Sequence, residues 1–335
     1  MRIRAALIAA VAATLAGGGT AYADGAPVAG ITYGGQGVQW GSLRFVALPA
    51  RDGTAVAQVD ASSGTVNSFM SLKGAWGIPR VAFDGTTAGV SAGGQALVLA
   101  QTTPVLNAKR TRFAIVTPVK MRRIGIVTLH GAFYFDAISP DGGAMYLIQL
   151  TSPWNTLHYK VRVYDLRHGR LLPGAVVDKT EPDERMAGFP VSRASSADGV
   201  WAYTLYQKPT GRYFVHALDT RAGIARCIDL PPLTSQDMPV LSVDAGRIDV
   251  VAQGQVLAAV NRTTFAVTRS PAPVARNAAP PKRQAPAQHS SSGPPLWAAV
   301  PAGLVLAGLA AFAVRRRRPA RARSGGAAAG APSGP

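Results

Sequence analysis

The stretch from Phe133 to Leu230 carries the same order of signals twice, and this duplication constrains the fold more than any other feature. The first copy reads Phe-Tyr-Phe-Asp-Ala-Ile-Ser-Pro-Asp-Gly over 133–142, then a strand-like run, then Val-Tyr-Asp-Leu-Arg-His-Gly over 163–169. The second reads Arg-Ala-Ser-Ser-Ala-Asp-Gly over 193–199, another run, and Ala-Leu-Asp-Thr-Arg-Ala-Gly over 217–223. Asp hydrogen-bonds its own backbone and Gly accepts positive φ, so these residues set turns. Runs rich in β-branched and aromatic residues lie between them (Val200 to Tyr206, Tyr213 to Leu218, Ile224 to Leu230) and read as strands. Asp141 to Asp198 spans 57 positions and Asp165 to Asp219 spans 54.

A period of roughly 50 residues with about four short strands per unit is that of propeller blades. A blade cannot bury both faces alone, so its neighbours must stack on it. Asp60-Ala61-Ser62-Ser63-Gly64 is a third copy of the closing turn, two periods before Asp165. Asp84-Gly85 and Gly93-Gly94 mark a blade between them whose closing turn has drifted. Asp244-Ala245-Gly246 and Asn261-Arg262-Thr263-Thr264 offer a last, shortened unit. Further strand-like runs are Leu43 to Leu48, Ala55 to Val59, Thr65 to Leu72, Ala96 to Ala100, Phe113 to Val119 and Ile124 to Leu129. The expected fold is all-β, a β-propeller of about five four-stranded blades. The count becomes six if the first strands of the body close the ring with the last.

The Ser-Pro-Asp-Gly turn followed by a strand, and the Tyr-Asp-x-x-x-Gly closing turn, resemble those of bacterial secreted WD40-like or YVTN-type propeller proteins. The resemblance covers about Ile31 to Val267. The Trp-Asp and Gly-His pairs of eukaryotic WD40 blades are absent, so their hydrogen-bonded tetrads are not implied. What the resemblance implies is a fold and a binding role, not a reaction.

Either side of the body, residues 24–270, composition changes sharply. Residues 1–23 have the charged start (Arg2, Arg4), the apolar core and the Ala21-Tyr22-Ala23 pattern of a cleaved secretory signal. Residues 271–295 are rich in Pro, Ala and Ser and read as an extended stalk. Residues 296–314 are uncharged and, at about 1.5 Å per residue, long enough for a transmembrane helix. Trp297 sits at the outer edge of that span. Arg315 to Arg318 follow it, which places residues 315–335, a basic disordered tail, in the cytoplasm. No Leu-Pro-x-Thr-Gly sorting motif precedes the span. The expected topology is a single-pass type I protein of the cell membrane, with the propeller outside.

The formal charge of +18 is mostly topology. All 17 acidic residues lie between Asp24 and Asp249, and the surplus cations concentrate in the leader, stalk and tail. No nucleic-acid motif accompanies the charge, so nucleic acid is not an expected partner. Cys227 is the only cysteine, which rules out an internal disulfide. It is expected to behave as a small buried hydrophobe, since a nucleophilic role needs a nearby histidine.

The five histidines (His130, His158, His168, His216, His289) show no metal-ligand spacing, and no nucleophile elbow or phosphate loop is present. His216 is expected half-buried in a strand, and His168 solvated in a turn. No catalytic residue, metal or cofactor is therefore expected. The longest charged excursion is Asp178 to Arg185. Its four carboxylates lack the alternate-residue spacing of a calcium loop and face competition from Lys179 and Arg185. It reads as a solvated loop between blades. With neighbouring residues it is the expected recognition surface: Asp178, Glu181, Asp183, Glu184, Arg185, Met186, Phe189 and Arg193. The expected function is a non-catalytic, cell-surface binding module for a protein, glycan or envelope ligand. The alternative is a metal-dependent lactonase or lyase, to which Asp136, Asp141 and Asp198 would contribute.

Overall fold

The computed structural model describes residues 31–32, 37–101, 108–152, 154–181, 187–233 and 238–269. The expected leader, stalk, span and tail lie outside these residues, as do Asp183, Glu184, Arg185 and Met186. Among the described residues no helix is long and apolar enough to cross a membrane.

The described chain is all β. β1 (Ile31–Thr32) joins the edge of the second sheet; every other strand belongs to one of five consecutive up-and-down sheets. Blade one holds β2 (Val38–Trp40), β3 (Leu43–Ala50), β4 (Gly53–Asp60) and β5 (Val66–Lys73). Blade two holds β6 (Trp76–Pro79), β7 (Leu97–Gln101), β8 (Arg110–Thr117) and β9 (Arg122–His130). Blade three holds β10 (Phe133–Ile138), β11 (Ala144–Leu150), β12 (Tyr159–Asp165) and β13 (Arg170–Leu171). Blade four holds β14 (Phe189–Ser195), β15 (Trp201–Gln207), β16 (Tyr213–Asp219) and β17 (Ile224–Asp229). Blade five holds β18 (Val240–Val243), β19 (Arg247–Ala252), β20 (Gln255–Asn261) and β21 (Val267–Arg269). Five sequential antiparallel sheets of four strands fit a β-propeller.

Side-chain alternation explains the stacking. In β7, Leu97 and Leu99 point to blade one, while Val98 and Ala100 point to blade three. β11 divides likewise: Met145 and Leu147 meet blade two, Tyr146 and Ile148 meet blade four. These middle strands are buried on both faces, which is why they read as continuous apolar runs rather than as alternating ones. Tyr203 and Leu205 join Leu241, Ile248 and Val250 between blades four and five. The far face of blade one carries a separate small cluster, Val46, Ala57 and Val59, which includes no residue of blade five.

The closing turn recurs in all five blades. Asp60, Asp165, Asp219 and Asn261 each accept two backbone N–H bonds through their own side chains, from Ser62 and Ser63, Arg167 and His168, Arg221 and Ala222, and Thr263 and Thr264. The fifth turn position has positive φ in every blade: Gly64, Met121, Gly169, Gly223 and Phe265. The drifted closing turn of blade two is therefore Thr117 to Met121. Gly93-Gly94 belongs to that blade's first turn, where Ser91 takes the place of Ser139 and Ser196, and Asp84-Gly85 lies in the excursion leading to it. Blade five is a full four-stranded unit rather than a shortened one.

The excursion between β6 and β7 ties the array together. Phe83 and Asp84 donate backbone bonds to Pro190 and Val191 of blade four, and Gly93 donates to Pro140 of blade three. Trp40 of blade one donates its indole N–H to Ala92 at 2.7 Å. Gly94 permits this approach: a Cβ there would meet the Trp40 ring at 2.1 Å.

Candidate functional site

Strand order places a cavity at one end of the junction between blades three and four. Turns within a meander alternate ends, so the β11–β12 connection and the crossover from β13 to β14 share one end of the array. There they border a cleft of about 480 Å³. The crossover enters it in strand-like fashion: Val176 pairs with Val161 of β12, then Asp178 pairs with Ala225 of β17. The chain thus passes from the third strand of one blade to the outer strand of the next and walls the gap between them.

Exposed polar groups, His158, Lys160 and Glu181, rim the cleft. Val161, Val176 and the buried ring of Tyr159 form its apolar wall, and His216 and Cys227 reach it from blade four. The same β11–β12 connection carries Trp154, which is 86% exposed. Ser152 holds that connection by accepting the Trp154 and Asn155 N–H groups.

His216 and Cys227 are cross-strand partners in the β16–β17 register. The Sγ of Cys227 lies 3.8 Å from Nδ1 of His216. His216 is fully buried rather than half-buried, and burial drives its imidazole down to about 4, so the ring is neutral. Its Nε2 is buried without a hydrogen-bond partner. The ring of Tyr206 meets it edge-on at 6.2 Å. Among the described residues no three His, Cys, Asp or Glu side chains converge on a common point.

The second cavity, about 610 Å³, lies at the inner strands, lined by Trp40, Thr87, Ser196, Thr220 and the ion pair of Asp136 and Arg193. Both side chains of that pair are 4% exposed. Asp136 sits where β10 slips register against β11, and Arg193 projects from β14 of the next blade.

Of the residues expected to form the recognition surface, four are described, and two of them, Asp178 and Glu181, line the outer cleft. Asp178 is buried: its carboxylate accepts the Cys227 N–H at 2.8 Å and both Thr180 donors, and meets Arg226 at 3.4 Å. Burial raises its proton affinity, but bonds from Thr180 and Cys227 and the charge of Arg226 outweigh it, so the carboxyl sits below its ordinary value. Glu181 is exposed at the cleft, Phe189 is half-buried on β14, and Arg193 faces the centre. The alternative catalytic acids are occupied structurally. Asp136 pairs with Arg193, while Asp141 and Asp198 each accept the hydroxyl of the turn serine, Ser139 or Ser196. His168 is solvated, with Nδ1 2.7 Å from Asp165. The sequence showed the signal for the cleft in its charged excursion, but not the pairing of His216 with Cys227, eleven residues apart across a hairpin.

No family model matches this chain, and no curated protein matches it. Among solved structures it is similar to TolB from Acinetobacter baumannii, at 14% identity and a TM-score of 0.37 over 66% of this chain and 49% of that one. The chain thus spans about half the length of that relative. It is also similar to Kuenenia stuttgartiensis hydrazine synthase, at 16% identity and a TM-score of 0.41, covering 76% of this chain and 69% of that one. A third is the Cps50 (Swd1) β-propeller domain of Myceliophteria thermophila, at 10% identity and a TM-score of 0.39, covering 70% and 69%. Likeness this distant assigns no residue and no activity.

Proposed function

We propose that this chain is an extracytoplasmic β-propeller of the bacterial WD40-like kind, tethered by one C-terminal span, that serves as a non-catalytic binding module. The leader pattern of residues 1–23, the Pro-rich stalk, the uncharged stretch 296–314 and the arginines after it support the placement. Its ligand is a protein, glycan or other envelope component.

The observation that carries the reading is the rim of the blade three–four cleft. The β11–β12 connection, which carries the almost fully exposed Trp154, lines this concave site through Thr151, Leu157 and His158, and the charged excursion lines it through Asp178 and Glu181. Exposed aromatic anchors on rigid supports are the usual centres of recognition energy. Site-specific photo-crosslinking of the full-length protein in its native membrane tests this. A crosslinker at Trp154 and one at Glu181 should capture the same partner, and one at Ala222, at the other end of blade four, should not. Equal capture from all three positions, or from none, refutes the reading.

A further inference from the structure

We infer that the outer hairpin of blade two, at its β8–β9 connection, is a docking tip for an anionic lipid bilayer. The inference rests on the described residues and is independent of the blade three–four cleft, which opens at the other end of the array.

Charge is the first support. Between Asp84 and Asp136 the chain carries no Asp or Glu, but it carries Lys109, Arg110, Arg112, Lys120, Arg122 and Arg123. Three of these cluster at the tip: Lys120 in the connection, Arg122 and Arg123 where β9 begins. All three are exposed, and none forms an ion pair among the described residues. Successive strand residues point to opposite faces, so Arg122 and Arg123 place a cation on either side of this edge strand. In blade three, by contrast, the closing-turn cations are matched: Arg167 reaches Asp141 and His168 reaches Asp165. The blade-two tip therefore keeps an unneutralised positive field, which attracts a negative surface.

Apolar exposure is the second, and it selects a bilayer over a soluble polyanion. Val119 and Ile124 bracket the three cations in sequence and are 63% and 59% exposed. Ile124 is the extra residue of a β-bulge: Ile115 pairs with Gly125 and Val116 with Arg123. A bulge re-aims the side chain it carries. Cations beside exposed alkyl groups suit a bilayer interface, where the cations meet phosphate and the alkyl groups enter the acyl boundary. A dissolved polyanion would use the cations and leave Val119 and Ile124 in water.

Rigid support is the third. In the other four blades an Asp or Asn side chain caps the closing turn; here Thr117 stands at that position. The substitution keeps a carboxylate out of the patch, and tertiary contacts hold the turn instead. Gln58 of blade one donates to the Pro118 carbonyl at 3.1 Å, and Met121, at positive φ, packs in the Trp76 cluster. The tip meets a membrane already shaped, without the ordering cost of a flexible loop.

The test uses full-length protein in nanodiscs of phosphatidylcholine, alone or mixed with phosphatidylglycerol. An environment-sensitive fluorescent residue in place of Val119 should shift to the blue and be quenched by brominated lipid in the anionic discs only. Lys120→Glu with Arg123→Glu should abolish that shift, since each cation near an anionic leaflet is worth about fivefold in affinity. Arg212→Glu, which alters an exposed cation at the other end of blade four, should leave it intact. In the unaltered protein, amide hydrogen exchange over residues 117–124 should slow in anionic discs only. The readout is local to the tip, so it is separate from whether residues 296–314 span the disc. The inference fails if the fluorophore reports water in both discs or shifts equally in both. It fails equally if the charge-reversed variant shifts as before, or if polyphosphate added to the phosphatidylcholine discs reproduces the shift.

Discussion

Two polar pairs lie at the meeting of blades three and four, one between the blades and one within blade four. Asp136 and Arg193 bring a full charge each from neighbouring blades and neutralise one another at the inner strands. His216 and Cys227 belong to one blade and line the outer cleft, where burial keeps the His216 imidazole neutral. The first pair ties two blades together through opposite charges; the second faces itself across one hairpin, and each leaves one buried nitrogen without a hydrogen-bond partner, Nε of Arg193 and Nε2 of His216. Buried polar groups in a stable fold are normally satisfied. The difference therefore separates a tie between two blades from a contact within one.

The largest effect should come from breaking the charged pair. Asp136→Ala strands the Arg193 guanidinium in the interior and should cost about 3–5 kcal/mol in urea unfolding. Replacing both partners, as Asp136→Leu with Arg193→Met, should return most of it. If the single variant costs less than about 1 kcal/mol, the pair does not hold the blades.

The pair within blade four should reveal itself through pH. In the folded protein His216 stays neutral down to about 4, whereas an unfolded histidine protonates near 6.5. The unfolded state binds the extra proton, so stability falls as pH drops from 6.5 to about 4 and is flat above that window. The loss should reach about 3 kcal/mol. Asp136 and Asp178 favour the imidazolium and Arg193 opposes it, but burial exceeds them all. His216→Phe should remove this slope; an unchanged slope would assign it to other groups.

Asp178→Ala sharpens the comparison at the cleft wall. It leaves the Cys227 N–H and the Thr180 N–H without their acceptor, for about 1–3 kcal/mol. It should also speed alkylation of Cys227, because the wall that partly covers the thiol loses its anchor. Unaltered kinetics would mean that the carboxylate does not position the wall.

The smallest effect lies away from both pairs and calibrates them. Gln253 is exposed at positive φ in the two-residue connection before Gly254. Gln253→Asn creates the preferred pair for such a turn and should raise stability by about 0.5 kcal/mol, as a small upward shift in melting temperature.

The same contrast decides what could be read in advance. Asp165 and Asp219 cap their own turns within three residues, and Gly169 and Gly223 supply the positive φ that follows. Such signals are local, so the repeat, the blade period and most strands were legible. Blade two's closing turn was not. There Met121 occupies the left-handed position, and its burial against the Trp76 cluster offsets the backbone cost. Phe265 does the same in blade five, edge-on against Trp201 at 5.7 Å.

By itself, then, the sequence determined the β-strands, their turns and the repeat that makes neighbouring blades stack, because hydrogen bonds within a few residues and two-residue alternation carry that information. Only the tertiary structure decided that Asp178 and Arg193 are buried and far from the solvent they were expected to face. Only it set the imidazole of His216 beside the sulfur of Cys227. Asp136 and Arg193 are 57 residues apart, and Asp178 and Cys227 are 49 apart. Partnerships over such distances exist only once packing has excluded water and left those polar groups no other neighbours.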